Sequence, residues 1–106
     1  MNEIHIPRGT TLPLTVSVRT ASGDAYAPQT GDSLILKVGS DPDNSPLITK
    51  TGSYNNETGE FEFTINPADT SSLPIDRYFY NVMLESTGNK RYPVIEATWF
   101  YVENSV

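Results

Sequence analysis

Residues 59–84 read GEFEFTINPADTSSLPIDRYFYNVML, and two alternating segments around a short capped turn decide how this chain folds. Phe61, Phe63 and Ile65 alternate with Glu60, Glu62 and Thr64, the period of two that gives a strand one dry and one wet face. Tyr78, Tyr80, Val82 and Leu84 form the dry row of the second segment. Between them Asn66 suits an N-cap, Pro67 the first helical position, and Asp69 places negative charge in the first turn, where the helix dipole favours it. One helical turn is therefore expected between Pro67 and Leu73, ended by Pro74. A helical corner in place of a two-residue hairpin implies that the chain crosses from one sheet to another stacked on it.

The rest of the chain supplies strands to pack beside these two. Residues 3–6 form a short edge strand stopped by Pro7 and the Arg8-Gly9 turn. Leu12, Leu14, Val16 and Val18 alternate with polar residues, and Pro13 falls on the polar face, as at a strand start or an edge. Residues 21–31 form a loop in which Tyr26 and Pro28 lie back over the end of the structure. Residues 33–38 follow as a strand with Leu34, Leu36 and Val38 inward, residues 39–46 as a loop, and 47–51 as a short strand. Residues 54–59 turn into the deciding segment, and Thr87-Gly88-Asn89 turns the last two strands into a hairpin.

The final strand, residues 91–103, has no single register. Ile95, Ala97, Trp99 and Tyr101 make one row, while Phe100 and Val102 belong to the other. A bulge near Thr98 and Trp99 would turn Phe100 and Val102 inward and leave Trp99 and Tyr101 on the outer face. Those two, with Tyr92 earlier on the strand, are the candidate interface residues. The whole reads as an all-β, immunoglobulin-like antiparallel β-sandwich of about seven strands with one short helical turn. Its expected core is Leu14, Val16, Leu36, Phe61, Phe63, Tyr80, Val82 and Leu84. In such folds a tyrosine corner closes the crossing between sheets. Tyr78 is the first choice for it and Tyr80 the second, with the hydroxyl bonded to backbone near the turn that Asn66 and Asp69 begin.

Composition bounds function. A chain of 106 residues is expected to form a single domain, residues 1–106, and to bury about 65% of its unfolded surface. There is no cysteine, which removes disulfides, thiolate nucleophiles and cysteine metal sites. A net charge of -6 with scattered Lys and Arg argues against a nucleic-acid partner. No apolar run approaches a membrane span, and Met1-Asn2-Glu3 is no leader, so neither a membrane partner nor a signal peptide is expected.

The residue types for chemistry are sparse. His5 is the only histidine, too few for a catalytic dyad or a multi-histidine metal site, and is expected to be a solvated side chain. Glu57, Glu60 and Glu62 could be imagined as paired carboxylates of a glycosidase, but Glu60 and Glu62 share the wet face of a regular strand, where nothing raises one pKa. Asp41, Asp43, Asn44 and Ser45 offer oxygens for calcium without the Gly and distal Glu of an EF-hand loop. No catalytic residue, metal site or cofactor is therefore expected.

Four blocks carry a resemblance: residues 12–18 (LPLTVSV), 47–52 (LITKTG), 63–70 (FTINPADT) through Leu73, and 77–84 (RYFYNVML). In this order they resemble the immunoglobulin-like modules of tailed-bacteriophage structural proteins, such as the N-terminal sandwich domains of upper baseplate proteins and modules of tail and head-fibre proteins. Two positions depart from that pattern. Asp76 stands where such modules often have Gly before the Arg-Tyr pair, and Ala97 or Thr98 stands where the last strand often has Gly. The resemblance implies a non-enzymatic structural subunit of a phage or prophage virion, made in the bacterial cytoplasm and docked to other virion proteins. A homo-oligomer is a second way to cover the aromatic terminal strand. The alternative is a carbohydrate-binding or adhesion module, since Trp99 and six tyrosines offer flat rings to sugars.

Overall fold

The computed structural model describes residues 3–20, 22–24, 26–40 and 45–104, the Asn89 side chain excepted. In chain order its elements are β1 (Ile4–Pro7), β2 (Leu12–Val16), β3 (Ser33–Gly39), β4 (Ile48–Thr51), β5 (Ser53–Asn55), β6 (Glu60–Ile65), α1 (Pro67–Thr70), β7 (Asp76–Ser86) and β8 (Lys90–Glu103). They build an immunoglobulin-like sandwich of two sheets, one ordered β1-β8-β7-β3-β4 and the other β2-β6-β5. The strand beyond the expected seven is β5, three residues too short to show a period.

The deciding segment behaves as its alternation dictates. Phe61, Phe63 and Ile65 are buried while Glu62 and Thr64 face solvent, and Tyr78, Tyr80, Val82 and Leu84 are buried from the other sheet. The crossing between them is α1, whose first turn is closed by the Asp69 carboxylate accepting the Asn66 N–H at 2.7 Å. Asp69 also meets Lys50 Nζ of β4 at 2.8 Å, so the corner is tied to the five-stranded sheet. Partial burial opposes ionisation of Asp69, but the bonds from Lys50 and Asn66 outweigh it and hold the carboxyl below its usual range. The Tyr78 hydroxyl donates to the Pro74 carbonyl at 2.6 Å, the geometry of a tyrosine corner. Two residues on, where antibody domains carry a cysteine, Tyr80 is buried with its ring edge against Phe100, centroids 6.2 Å apart.

Thr70 closes the same corner from within. Fully buried, its hydroxyl accepts the Gly9 N–H at 2.9 Å and so anchors the turn between β1 and β2 to the crossing. At the opposite crossing, from β4 to β5, Gly52 lies against the ring of Phe63. A side chain there has no room.

Three expectations need correction. First, β1 pairs in parallel with the end of β8, Ile4 opposite Phe100 and Pro7 opposite Glu103, so the sandwich is not wholly antiparallel. The apolar end of the terminal strand is thereby covered by the chain itself, with Ile6 fully buried. Second, Leu14 and Val16 are only half-buried. Among the described residues β2 pairs with β6 alone, and an edge position leaves its inward row open along one flank. Third, the irregularity in β8 comes earlier than Thr98 and Trp99. Tyr80 pairs with Thr98, Val82 with Ile95, and Met83 with Pro93, so residues are added to β8 at two places between Pro93 and Thr98. The consequence inferred for it holds: Phe100 and Val102 are buried while Trp99 and Tyr101 lie on the outer face.

Candidate functional site

The outer face of the five-stranded sheet carries a continuous row of rings, and its order follows from register. On β7 the residues alternating with buried Tyr78 and Tyr80 are Arg77 and Phe79, and the hairpin sets Phe79 opposite Trp99 and Arg77 opposite Tyr101. Across the parallel pair, β1 sets His5 opposite Tyr101. Side chains directly opposite on one face of a sheet touch. The His5 and Tyr101 rings stack with centroids 4.4 Å apart and planes at 14°, and Phe79 stacks on Trp99 at 4.5 Å. Tyr101 and Trp99 lean together at 6.4 Å, and the Arg77 guanidinium lies 4.3 Å from the centre of the Trp99 ring. The indole thus contacts both a phenyl ring and a cation, and the cation–π contact adds about 0.5–1 kcal/mol at an exposed site.

His5 is not simply solvated. Its ring is half exposed, yet Nδ1 lies 2.8 Å from Glu103 Oε2 and Nε2 lies 3.7 Å from Glu3 Oε1. The hydrogen bond to Glu103 raises its pKa above the usual 6.5, desolvation opposes it, and the charges of both carboxylates add to the rise. The imidazole therefore fastens β1 to β8 and ends the row of rings with a titratable cation.

The three candidate interface residues do not form one surface. Trp99 and Tyr101 belong to the row, but Tyr92 pairs with buried Leu84 on the opposite side of β8 and borders a cavity at the end of the sandwich. The two register shifts between Pro93 and Thr98 cancel, so Tyr92 keeps the face opposite to Trp99 and Tyr101 that plain alternation gives it. Of the corner set, Tyr78 and Tyr80 are buried, which raises both phenols, while Asp69 is half-buried and Asn66 exposed. Glu60 accepts a hydrogen bond from Ser17 and Glu62 one from Asn55, each across neighbouring strands. Asp41, Asp43 and Asn44 lie outside the described residues, and Ser45 is exposed. Among the described residues no three His, Cys, Asp or Glu side chains gather as a metal site would require. No helix among them is long and apolar enough to cross a membrane.

Arg77, Phe79 and His5 were not marked as site residues by the sequence. Arg77 and Phe79 occupy the wet row of a strand whose dry row is clear, so the signal was there once the hairpin register was known. His5 needed the parallel pairing, which no local pattern reports. Neither a scan of protein-family models nor a search of curated proteins finds a match for the chain.

Proposed function

We propose that this domain is a non-enzymatic assembly module of a phage or prophage virion, docking to other virion proteins through the outer face of its five-stranded sheet. The observation that carries the reading is the row from His5 through Tyr101 and Trp99 to Phe79, capped by Arg77. Trp, Tyr and Arg are the residues that most often dominate protein–protein binding energy, and rings fixed by mutual stacking lose little freedom on docking. The same packing weighs against sugar binding. Phe79 and Arg77 both lie within 4.5 Å of the Trp99 ring centre, so the π surface that a sugar would stack on is already engaged by the chain's own side chains. The phage attribution rests on the resemblance of the four sequence blocks. With β1 covering the end of β8, the docking surface is the face of the sheet rather than its edge.

The test is pull-down of the products of neighbouring genes by the wild-type domain and by Trp99→Ala, with light scattering to detect self-association. One product retained by the wild type, and retained about tenfold more weakly or worse by the folded variant, is the expected outcome. A domain that stays monomeric, retains none of those products and instead holds a defined oligosaccharide, lost on Trp99→Ala, would replace this reading with the adhesion alternative.

A further inference from the structure

A recess lies apart from the ring row, where the hairpin of β7 and β8 faces residues 17–20, the continuation of β2. It is open to solvent on one side and has a volume of about 630 Å³, within the range of sites that take small organic ligands. Its apolar lining includes Val18, Leu84, Val94 and the rings of Tyr26 and Tyr92. Among the described residues the only charged side chains on its wall are Arg19 and Lys90, both cations, although the chain carries a net charge of -6. Among the described residues Lys90 joins no ion pair, and Arg19 bonds the Gly23 carbonyl at 3.3 Å through one of its five donors. The nearby Glu85 is held by Arg91 at 3.1 Å.

The wall is built rather than loose. Asp32 accepts the Tyr26 hydroxyl, the Ser86 hydroxyl at 2.7 Å and the Gln29 N–H at 2.9 Å, which locks the loop bearing Tyr26 onto the end of β7. The Tyr26 N–H adds a bond of 2.8 Å to the Val18 carbonyl. Tyr92 is 50% exposed and is the one among the three exposed large hydrophobic residues that borders this recess. An extended peptide finds no regular ladder here, because Pro93 lacks an N–H and the strand register shifts beside it. That favours a compact ligand held by side chains.

We propose that this recess binds a compact amphiphilic carboxylate, an aryl or short acyl acid, with its apolar body between Tyr26, Tyr92 and Val94 and its charge toward Arg19 and Lys90. This goes beyond the assembly reading and does not depend on it. The test is an amide-shift NMR titration of the full chain with 4-phenylbutyrate and, at matched ionic strength, with its neutral alcohol 4-phenylbutanol. Saturable shifts centred on Tyr26, Tyr92 and Val94 are expected, with the acid bound about tenfold more tightly than the alcohol. The double variant Arg19→Gln, Lys90→Gln should bring the acid down to the affinity of the alcohol and leave the alcohol unchanged. Both positions are exposed, so the variant keeps its fold, and the dispersion of its spectrum verifies that. No saturable shift up to about 10 mM, shifts centred on other residues, or equal affinity for acid and alcohol would each overturn the proposal.

Discussion

Replacing Gly52 by Ala tests whether the crossing from β4 to β5 is as tight as its geometry says. The added Cβ would sit 2.8 Å from Cζ of Phe63 and 3.1 and 3.2 Å from its two Cε atoms, where ordinary contact begins at 3.4 Å. Neither side yields easily. Phe63 is 3% exposed in the middle of the core, and the Gly52 N–H is pinned to the Leu34 carbonyl at 2.8 Å. Overpacking of this kind costs about 1–3 kcal/mol. The stiffer unfolded chain that Ala brings offsets about 0.4–1 kcal/mol of it, leaving a net loss of about 1–2 kcal/mol. For a domain of this size that lowers the thermal midpoint by roughly 5–12 °C. The mechanism is isolated by repeating the substitution in a Phe63→Leu background, where the opposing ring is gone. There Gly52→Ala should be neutral or slightly stabilising, a coupling of about 1 kcal/mol or more between the two positions. Calorimetric or fluorescence melts of the four proteins measure it. Additive losses, or a midpoint that rises on Gly52→Ala alone, would show that the ring does not set the limit.

Two further outcomes follow from the polar ties. Tyr78→Phe keeps the buried ring and deletes only the donor to the Pro74 carbonyl, so urea unfolding should report a loss of about 1–2 kcal/mol with an unchanged m-value; no loss would leave the corner held by packing alone. For His5 the folded pKa lies above 6.5, chiefly through Glu103, so its contribution to stability is full below 6.5 and disappears as pH rises through the raised value. Because the ring is exposed the effect is small, and it is read as the difference in thermal midpoint between the wild type and His5→Gln, positive in mild acid and vanishing at alkaline pH. A difference that grows with pH would contradict the pairing.

The fold was legible where hydrophobic period and turn chemistry coincide. Phe61, Phe63 and Ile65, the capped turn at Asn66, and the row from Tyr78 to Leu84 each announce both their own structure and the crossing between them. The candidate site was legible only by half, because alternation says which face a residue takes and nothing of its neighbour across the strand. Trp99 and Tyr101 could be assigned to the outer face, but their stacking on Phe79 and His5 follows from register, a property of two strands at once. A single bulge puts Tyr92 on the face of Trp99, whereas β8 has two shifts, which leave no compositional mark and cancel each other, so Tyr92 returns to the inner side opposite Leu84. Thr70 escaped notice for a related reason. A buried hydroxyl that satisfies the Gly9 N–H looks in sequence like any turn threonine.

The parallel pairing of β1 with the end of β8 also sets the order in which the molecule can be finished. His5 and Glu103 are bonded across a separation of 98 positions, so β1 waits for its partner until the chain has been made through β8. Closing so long a loop is entropically slow, and a nascent chain emerging from the ribosome must hold Ile4 and Ile6 exposed until Phe100–Val102 is made. Completion of this domain is thus tied to the synthesis of its last strand. A ribosome stalled before Phe100 would carry the rest of the sandwich with its first strand adrift, the state most open to capture by a chaperone or by the same strand of another copy.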